Sequence, residues 1–219
     1  MHSIIQNYLN IQNTINSTAK KLNLIKVPEL IVVSKTFGID KIKPLVDHGH
    51  DHFGENKVQE SVEKWSEIKK HFPQIKLHLL GHLQTNKVKF AVKLFDYIHT
   101  VDSEKLVKKI LDEQTKQNKK VNAFIQLNLG NEIQKSGISE NDLPKFYEYS
   151  KNQGLNVIGL MCIPPAVGEP IIYFKRLQEL KKKYHLSELS MGMSSDYIDA
   201  IKCETTFLRI GSKIFGKRS

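Results

Sequence analysis

The chain has 219 residues, 40% of them hydrophobic and 26% charged, with a formal net charge of +10. That balance is globular and too polar for a membrane-embedded protein, and no apolar run approaches the roughly 18 to 20 residues that span a bilayer. Two widely separated cysteines, Cys162 and Cys203, argue against a disulfide scaffold or a zinc knuckle.

The first stretch, MHSIIQNYLNIQNTINSTAKK, carries Ile4, Ile5, Leu9, Ile11 and Ile15 at spacings that suit an amphipathic helix. It lacks the basic start and continuous apolar core of a secretory signal, so a cytoplasmic location is expected. Strands are then predicted at 29–35, 50–54, 76–81, 97–101, 122–129, 156–163, 188–193 and 206–210, with HDHFG at 50–54 the weakest. Between them lie helical stretches such as DKIKPLVDHG, NKVQESVEKWSEIKKHF and SENDLPKFYEYSKNQG. Asp40, Ser103 and the segment Ser139 to Asp142 are candidate helix starts, and Gly154 a candidate stop. No linker or low-complexity segment divides the chain, so residues 1–219 are expected to form one domain. Eight strands alternating with helices predict an α/β fold, a single-domain (β/α)8 TIM barrel with an extra N-terminal helix.

In such a barrel the chemistry belongs to the segments just after each strand. Here they read SKT, FGENK, GHLQTNK, TVD, GNEIQKSG, MCIPP, SMGMSSD and RIGS. Small residues after strands seven and eight let backbone N–H groups approach phosphate oxygens, although ordinary Gly/Ser turns would read the same way in either loop alone. Lys35 ends an apolar, β-branched run, LIVVSK, where a lone ammonium is costly to bury. Taken by itself it reads as a solvated strand end. Arg209 lies within strand eight and needs an acceptor there, whether carboxylate, phosphate or ring nitrogen. Together, a phosphate cradle, an inward lysine and a strand arginine suggest pyridoxal 5′-phosphate, whose aldehyde would take Lys35 as a Schiff base (aldimine).

The motifs VVSKT, FGENKVQE, GHLQTNK, HTVD, GLMCIPP, LSMGMSSD and RIGSKIFGKR resemble the pyridoxal phosphate homeostasis (pyridoxal-phosphate-binding) protein family, related to the barrel domain of alanine racemase. The resemblance covers almost the whole chain. It implies a single barrel holding the cofactor on Lys35, with Ser194, Ser195, Gly211 and Ser212 as the phosphate cradle. It also implies Arg209 as partner of the pyridine nitrogen and Asn56 as a pocket residue. Three positions depart from the family pattern: Ser212 stands for a common threonine, Glu204 for a small residue, usually glycine, and Leu77 for a tryptophan. The segment PPAVGEPIIYF also looks shortened.

A cation at the ring nitrogen disfavours its protonation and weakens the ring as an electron sink. Racemisation further needs an acid and a base on opposite faces of the substrate. In alanine racemase the opposing tyrosine comes from a second domain, for which no room is expected after IFGKRS. None of the tyrosines is obviously placed for that role, so no catalytic residue is assigned and an amino-acid racemase is the alternative. The expected partners are pyridoxal phosphate and, as recipients, pyridoxal-phosphate-dependent apoenzymes. A monomer is expected, without a membrane or a specific nucleic-acid partner; the scattered lysines read as solvated helix faces.

His82 follows strand three and should lie near the pocket, a structural histidine being the other reading. His50 and His52 share one strand face on this reading, but no third ligand type completes a metal site, and none is assigned. Lys135, after strand five, reads as a solvated lysine, with a second aldimine as the other possibility.

Overall fold

The computed structural model describes residues 3–216. Eight parallel strands close into a barrel in sequence order: β1 (Glu29–Val33), β2 (His52–Glu55), β3 (Lys76–Leu79), β4 (Tyr97–Val101), β5 (Asn122–Leu127), β6 (Val157–Cys162), β7 (Glu188–Ser190) and β8 (Phe207–Ile210). The β1–β8 pairing, with Leu30 opposite Leu208 and Ile31 opposite Arg209, closes the ring. Outside it lie α2 (Ile39–Asp47), α3 (Val58–His71), α4 (Val88–Leu94), α5 (Glu104–Gln117), α6 (Leu143–Asn152), α7 (Pro170–Lys183), α8 (Tyr197–Lys202) and the short α9 (Ser212–Phe215). The expected barrel with a leading helix is the observed fold.

The strands are shorter than their apolar patterns at the carboxyl ends. Ser34 and Lys35 lie beyond β1, and Met191 to Met193 beyond β7. Single ladder bonds persist past the strand ends, from Ser34 N–H to the Gly54 carbonyl and from Met191 N–H to the Phe207 carbonyl, before Lys35 and Met193 reach the cavity at the barrel mouth. Of the candidate helix starts, Asp40 is the one that is displaced. It sits in the first turn of α2, whose N-cap is Gly38. Ser103 occupies the N-cap of α5 in an extended conformation, without a side-chain cap bond, and the Ser139 hydroxyl accepts from Asp142 N–H (3.2 Å) just before α6. Gly154 follows the last turn of α6 with φ +89°, the left-handed conformation a helix stop requires.

Two apolar layers follow from strand alternation. The larger lies between sheet and helices and includes Leu30, Val32, Phe53, Trp65, Leu77 and Leu208. A smaller one, Ile31, Phe124, Met161 and Phe207, fills the bore. The N-terminal helix α1 (Ser3–Lys21) buries Ile4, Tyr8, Ile11, Ile15 and Ala19 along one stripe. Each buried isoleucine of this stripe contributes about 1.5–3 kcal/mol. The helix packs on α2, α8 and α9, and Asn7 Nδ2 donates to the Ile214 carbonyl at 3.0 Å. In this way α1 buttresses the loop that carries Gly211 and Ser212.

Candidate cofactor site at the barrel mouth

The segment around Lys35 is held by a buried knot. Ser34 N–H donates to the Gly54 carbonyl (3.0 Å), and its hydroxyl to Glu55 Oε1 (2.7 Å). Lys64 and Trp65, both from α3, donate to the same carboxylate oxygen at 2.9 Å, and Lys64 also donates to the Ser34 carbonyl (3.0 Å). Glu55 is 1% exposed and Lys64 13%, so water screens this pair little. Immediately after Lys35, Thr36 takes φ +70°. A β-branched residue in the left-handed region is strained, and strain of that kind gathers where the surrounding structure imposes a functional geometry.

Lys35 borders a cavity of about 340 Å³ together with Asn56, Arg209, Ser194, Ser195, Gly211 and Ser212. These residues come from the ends of β1, β2, β7 and β8. Leu80, Ile163, Val33, Met193 and Phe37 supply its apolar walls. Phe37 stacks on Phe215 (centroids 4.5 Å apart) and ties the β1 loop to α9. The loop after β7 turns at Gly192, φ +89°, where a Cβ would lie 2.5 Å from Ala200 Cβ. The Asp196 carboxylate then accepts from Met193 N–H (2.6 Å), fixing the turn that carries Ser194 and Ser195. At Gly211 a Cβ would stand 2.9 Å from the Val33 carbonyl, so only glycine lets β8 leave the sheet so close to β1.

Arg209 is buried, and its two acceptors among the described residues are both neutral. Nη1 donates to Ser190 Oγ (2.7 Å) and Nη2 to the Cys162 carbonyl (2.8 Å). Burial lowers the guanidinium from its ordinary value, yet an arginine remains protonated. Burial also pushes the Cys162 thiol up to about 12, so it stays neutral beside that cation. Asn56 Oδ1 is buried and has no hydrogen-bond partner among the described residues. An orphaned polar atom beside the cavity is costly unless a ligand satisfies it.

Seven of the eight residues singled out from the sequence therefore border one cavity. The eighth, His82, does not. It is 57% exposed, stands 4.0 Å from Asp102, and borders a neighbouring cavity with Gln126, Asn128 and Lys135 that shares the walls Leu80 and Ile163. Lys135 ion-pairs with Glu132 and donates to the Pro164 carbonyl (2.9 Å). His50 and His52 do not share a face. His50 precedes β2 and turns toward α1, its Nδ1 3.3 Å from the Tyr8 hydroxyl, while His52 turns into the bore and meets His78. Among the described residues no group of three or more candidate ligands could hold a metal ion.

Residues 4–219 match the alanine racemase N-terminal domain family. A pyridoxal phosphate homeostasis protein of Vibrio cholerae is 36% identical over 230 residues, covering 100% of this chain and 98% of that protein. The chain belongs to the pyridoxal phosphate homeostasis protein family. The Escherichia coli (strain K12) homeostasis protein is 32% identical, again across 100% of this chain and 98% of its own length. Among solved structures, PipY of Synechococcus elongatus PCC7942 with pyridoxal phosphate (PLP) bound superposes with a TM-score of 0.84 at 31% identity, covering 97% of this chain and 100% of PipY. Alanine racemase of Clostridium difficile shares the fold, with a TM-score of 0.69 at 14% identity over 92% of this chain and 55% of that enzyme.

Proposed function

We propose that this protein is a non-catalytic carrier that holds pyridoxal 5′-phosphate as a Schiff base on Lys35 and takes part in the homeostasis of that cofactor. The observation that carries the reading is convergence: an amine, a guanidinium and four small cradle residues, brought from opposite ends of the chain, border one cavity. The residues fit the group. Ser194, Ser195, Gly211 and Ser212 would take the phosphate on hydroxyls and backbone N–H groups, as barrel loops after strands seven and eight commonly do. Arg209 would face the ring nitrogen, and Asn56 Oδ1 would accept from a ligand donor. When bound, the cofactor supplies an aldehyde for the lysine and an electron-withdrawing ring.

The non-catalytic part rests on two features. A buried cation at the ring nitrogen opposes ring protonation and limits carbanion stabilisation. Among the described residues, no tyrosine borders the cavity to serve as an opposing acid or base. An amino-acid racemase is the competing reading, favoured by the match to the alanine racemase domain. The carrier would act as a monomer in the cytoplasm and release its cofactor to pyridoxal-phosphate-dependent apoenzymes; His82 would border the route by which the cofactor leaves, through the adjoining cavity. To separate the readings, the protein is loaded with PLP and incubated with single enantiomers of alanine and other amino acids. Stable absorbance of the loaded protein without change of chirality is the expected result. Sustained racemisation would assign the site to catalysis.

A further inference from the structure

Arg209 is the first link of a hydrogen-bonded chain that runs down the bore. Ser190 Oγ lies 2.9 Å from His99 Nδ1, His99 Nε2 lies 2.9 Å from His78 Nδ1, and His78 Nε2 lies 2.8 Å from His52 Nδ1. His78 stacks on Tyr97 (centroids 4.3 Å apart, planes within 6°) and His99 on Phe124 (4.3 Å, 14°), which holds both imidazole planes. His52 ends the chain in a second cavity at the lower end of the barrel, bordered by Lys26, Glu29, Tyr97 and Glu188.

The chemistry of the first link sets the direction of all the others. A guanidinium only donates, so Ser190 Oγ must accept from Arg209. Ser190 and His99 are fully buried, and the hydroxyl hydrogen has one partner left, His99 Nδ1. With Nδ1 accepting, neutral His99 carries its hydrogen on Nε2 and donates to His78 Nδ1. The same logic puts the hydrogen of His78, and then of His52, on Nε2. In the reverse orientation Ser190 Oγ would accept twice and its own hydrogen would be stranded in a dry site, at the cost of an unmade bond. An imidazolium anywhere in the chain would donate from both nitrogens and break it. Burial keeps all three imidazoles neutral, lowering His78 and His99 well below the ordinary histidine value and His52 to a lesser degree.

We propose that Ser190, His99, His78 and His52 form a one-directional hydrogen-bond chain that fixes Arg209 and solvates its charge, with Ser190 and His99 as positioning residues for the ring-nitrogen partner. Every dipole in the chain turns its negative end toward the guanidinium, and aligned bonds polarise one another. This arrangement supplies what a carboxylate would otherwise supply, without adding a negative charge beside the ring nitrogen. The role assigned to Arg209 rests on the cofactor reading above; the direction of the chain does not.

Imidazole 15N spectra test both parts, with His52, His78 and His99 assigned by single substitutions. In the wild type without cofactor, at neutral pH, all three should be neutral with hydrogen on Nε2. Hydrogen on Nδ1 of His99, or an imidazolium among the three, overturns the chain, whatever the protein binds. In Ser190→Ala the direction is no longer imposed, so His52, at the far end of the bore, should show a mixture of tautomers. A packing defect at Ser190 would not reach it. The same variant should bind PLP about tenfold more weakly, the loss expected for one hydrogen bond to a charged group. A Ser190→Ala protein with an unchanged His52 signal and wild-type affinity overturns the proposal. Should that variant fail to fold, the wild-type spectrum still decides the direction. A wild type that takes up no PLP refutes the cofactor reading and leaves the direction of the chain to the spectra.

Discussion

At the upper end of the barrel, Lys35, Asn56, Ser194 and Arg209 come from four strand ends and border one cavity. At the lower end, His52, His78 and Tyr97 mainly border one another. Both ends of the bore are polar, and both have a cavity. The difference is where the polar atoms are spent. Below, imidazoles satisfy each other in a line and stack on aromatic faces, so they build structure. Above, Asn56 Oδ1 has no partner among the described residues and small residues keep the backbone approachable, so the end is built to receive something. Glu188 Oε2, beside the lower cavity, likewise has no partner among the described residues, so what separates the two ends is the line of imidazoles below and the small, backbone-exposing residues above.

The largest effect expected from breaking this contrast is at the knot beneath Lys35. Glu55→Ala strands the Lys64 ammonium in a site where it is 13% exposed and removes the acceptor of Ser34 and Trp65. Breaking a buried pair from one side costs about 3–5 kcal/mol. Urea unfolding should show that loss, together with weaker cofactor binding; a change below about 1 kcal/mol would show that the knot is not what holds the β1 end.

The lower end should fail in acid. His50 is lowered to about 4 by burial, and His52, His78 and His99 are lowered by the same cause. Their folded-state values lie below the unfolded value of about 6.5. Stability is therefore fully present above about pH 6.5 and is lost as the pH falls, because the unfolded chain binds protons that the native one refuses. His50 alone accounts for about 3 kcal/mol by the time the pH nears its folded value. A melting temperature that falls steadily from pH 7 to pH 5, and less steeply in His50→Gln, is the expected result. A flat profile would show that these imidazoles are not held neutral.

A smaller effect is expected from the cradle. Gly211→Ala pushes a methyl group to 2.9 Å from the Val33 carbonyl, so the loop must shift by a few tenths of an ångström. A weakening of PLP binding by about tenfold, about 1.4 kcal/mol, should appear in a dissociation titration with little change in melting temperature. Unchanged affinity would move the phosphate away from the β8 loop.

Much of the upper end was legible in the sequence because its signals are local. An apolar run ending in Lys35, two Gly/Ser loops and a strand arginine can each be read within a few residues. Closure of the barrel then needs only the alternation of eight strands. The lower end was not legible, because the histidine chain is a product of register. His52, His78 and His99 are far apart in sequence, and each becomes a neighbour of the next only through the register of β2, β3 and β4, in which His52 pairs with Lys76 and His78 with Tyr97, so the histidines step two residues from strand to strand. Ser190 gave no signal at all, being one small residue in a three-residue strand. The strand face assigned to His50 and His52 failed for a related reason: β2 begins at His52, so period-two alternation does not extend back to His50. His82 followed the rule that strand ends carry the chemistry, but it lies three residues beyond β3, far enough to turn toward Asp102 and away from the cavity that holds Lys35.

The central claim is that Lys35 anchors the cofactor. It is tested most directly by the visible absorbance spectrum of the protein after incubation with PLP and removal of the excess, for wild type and Lys35→Ala. The expected result is a Schiff-base band in the wild type and none in the variant, with the same far-ultraviolet circular dichroism in both. A band of equal strength in a folded Lys35→Ala protein, or no band in the wild type, would contradict it.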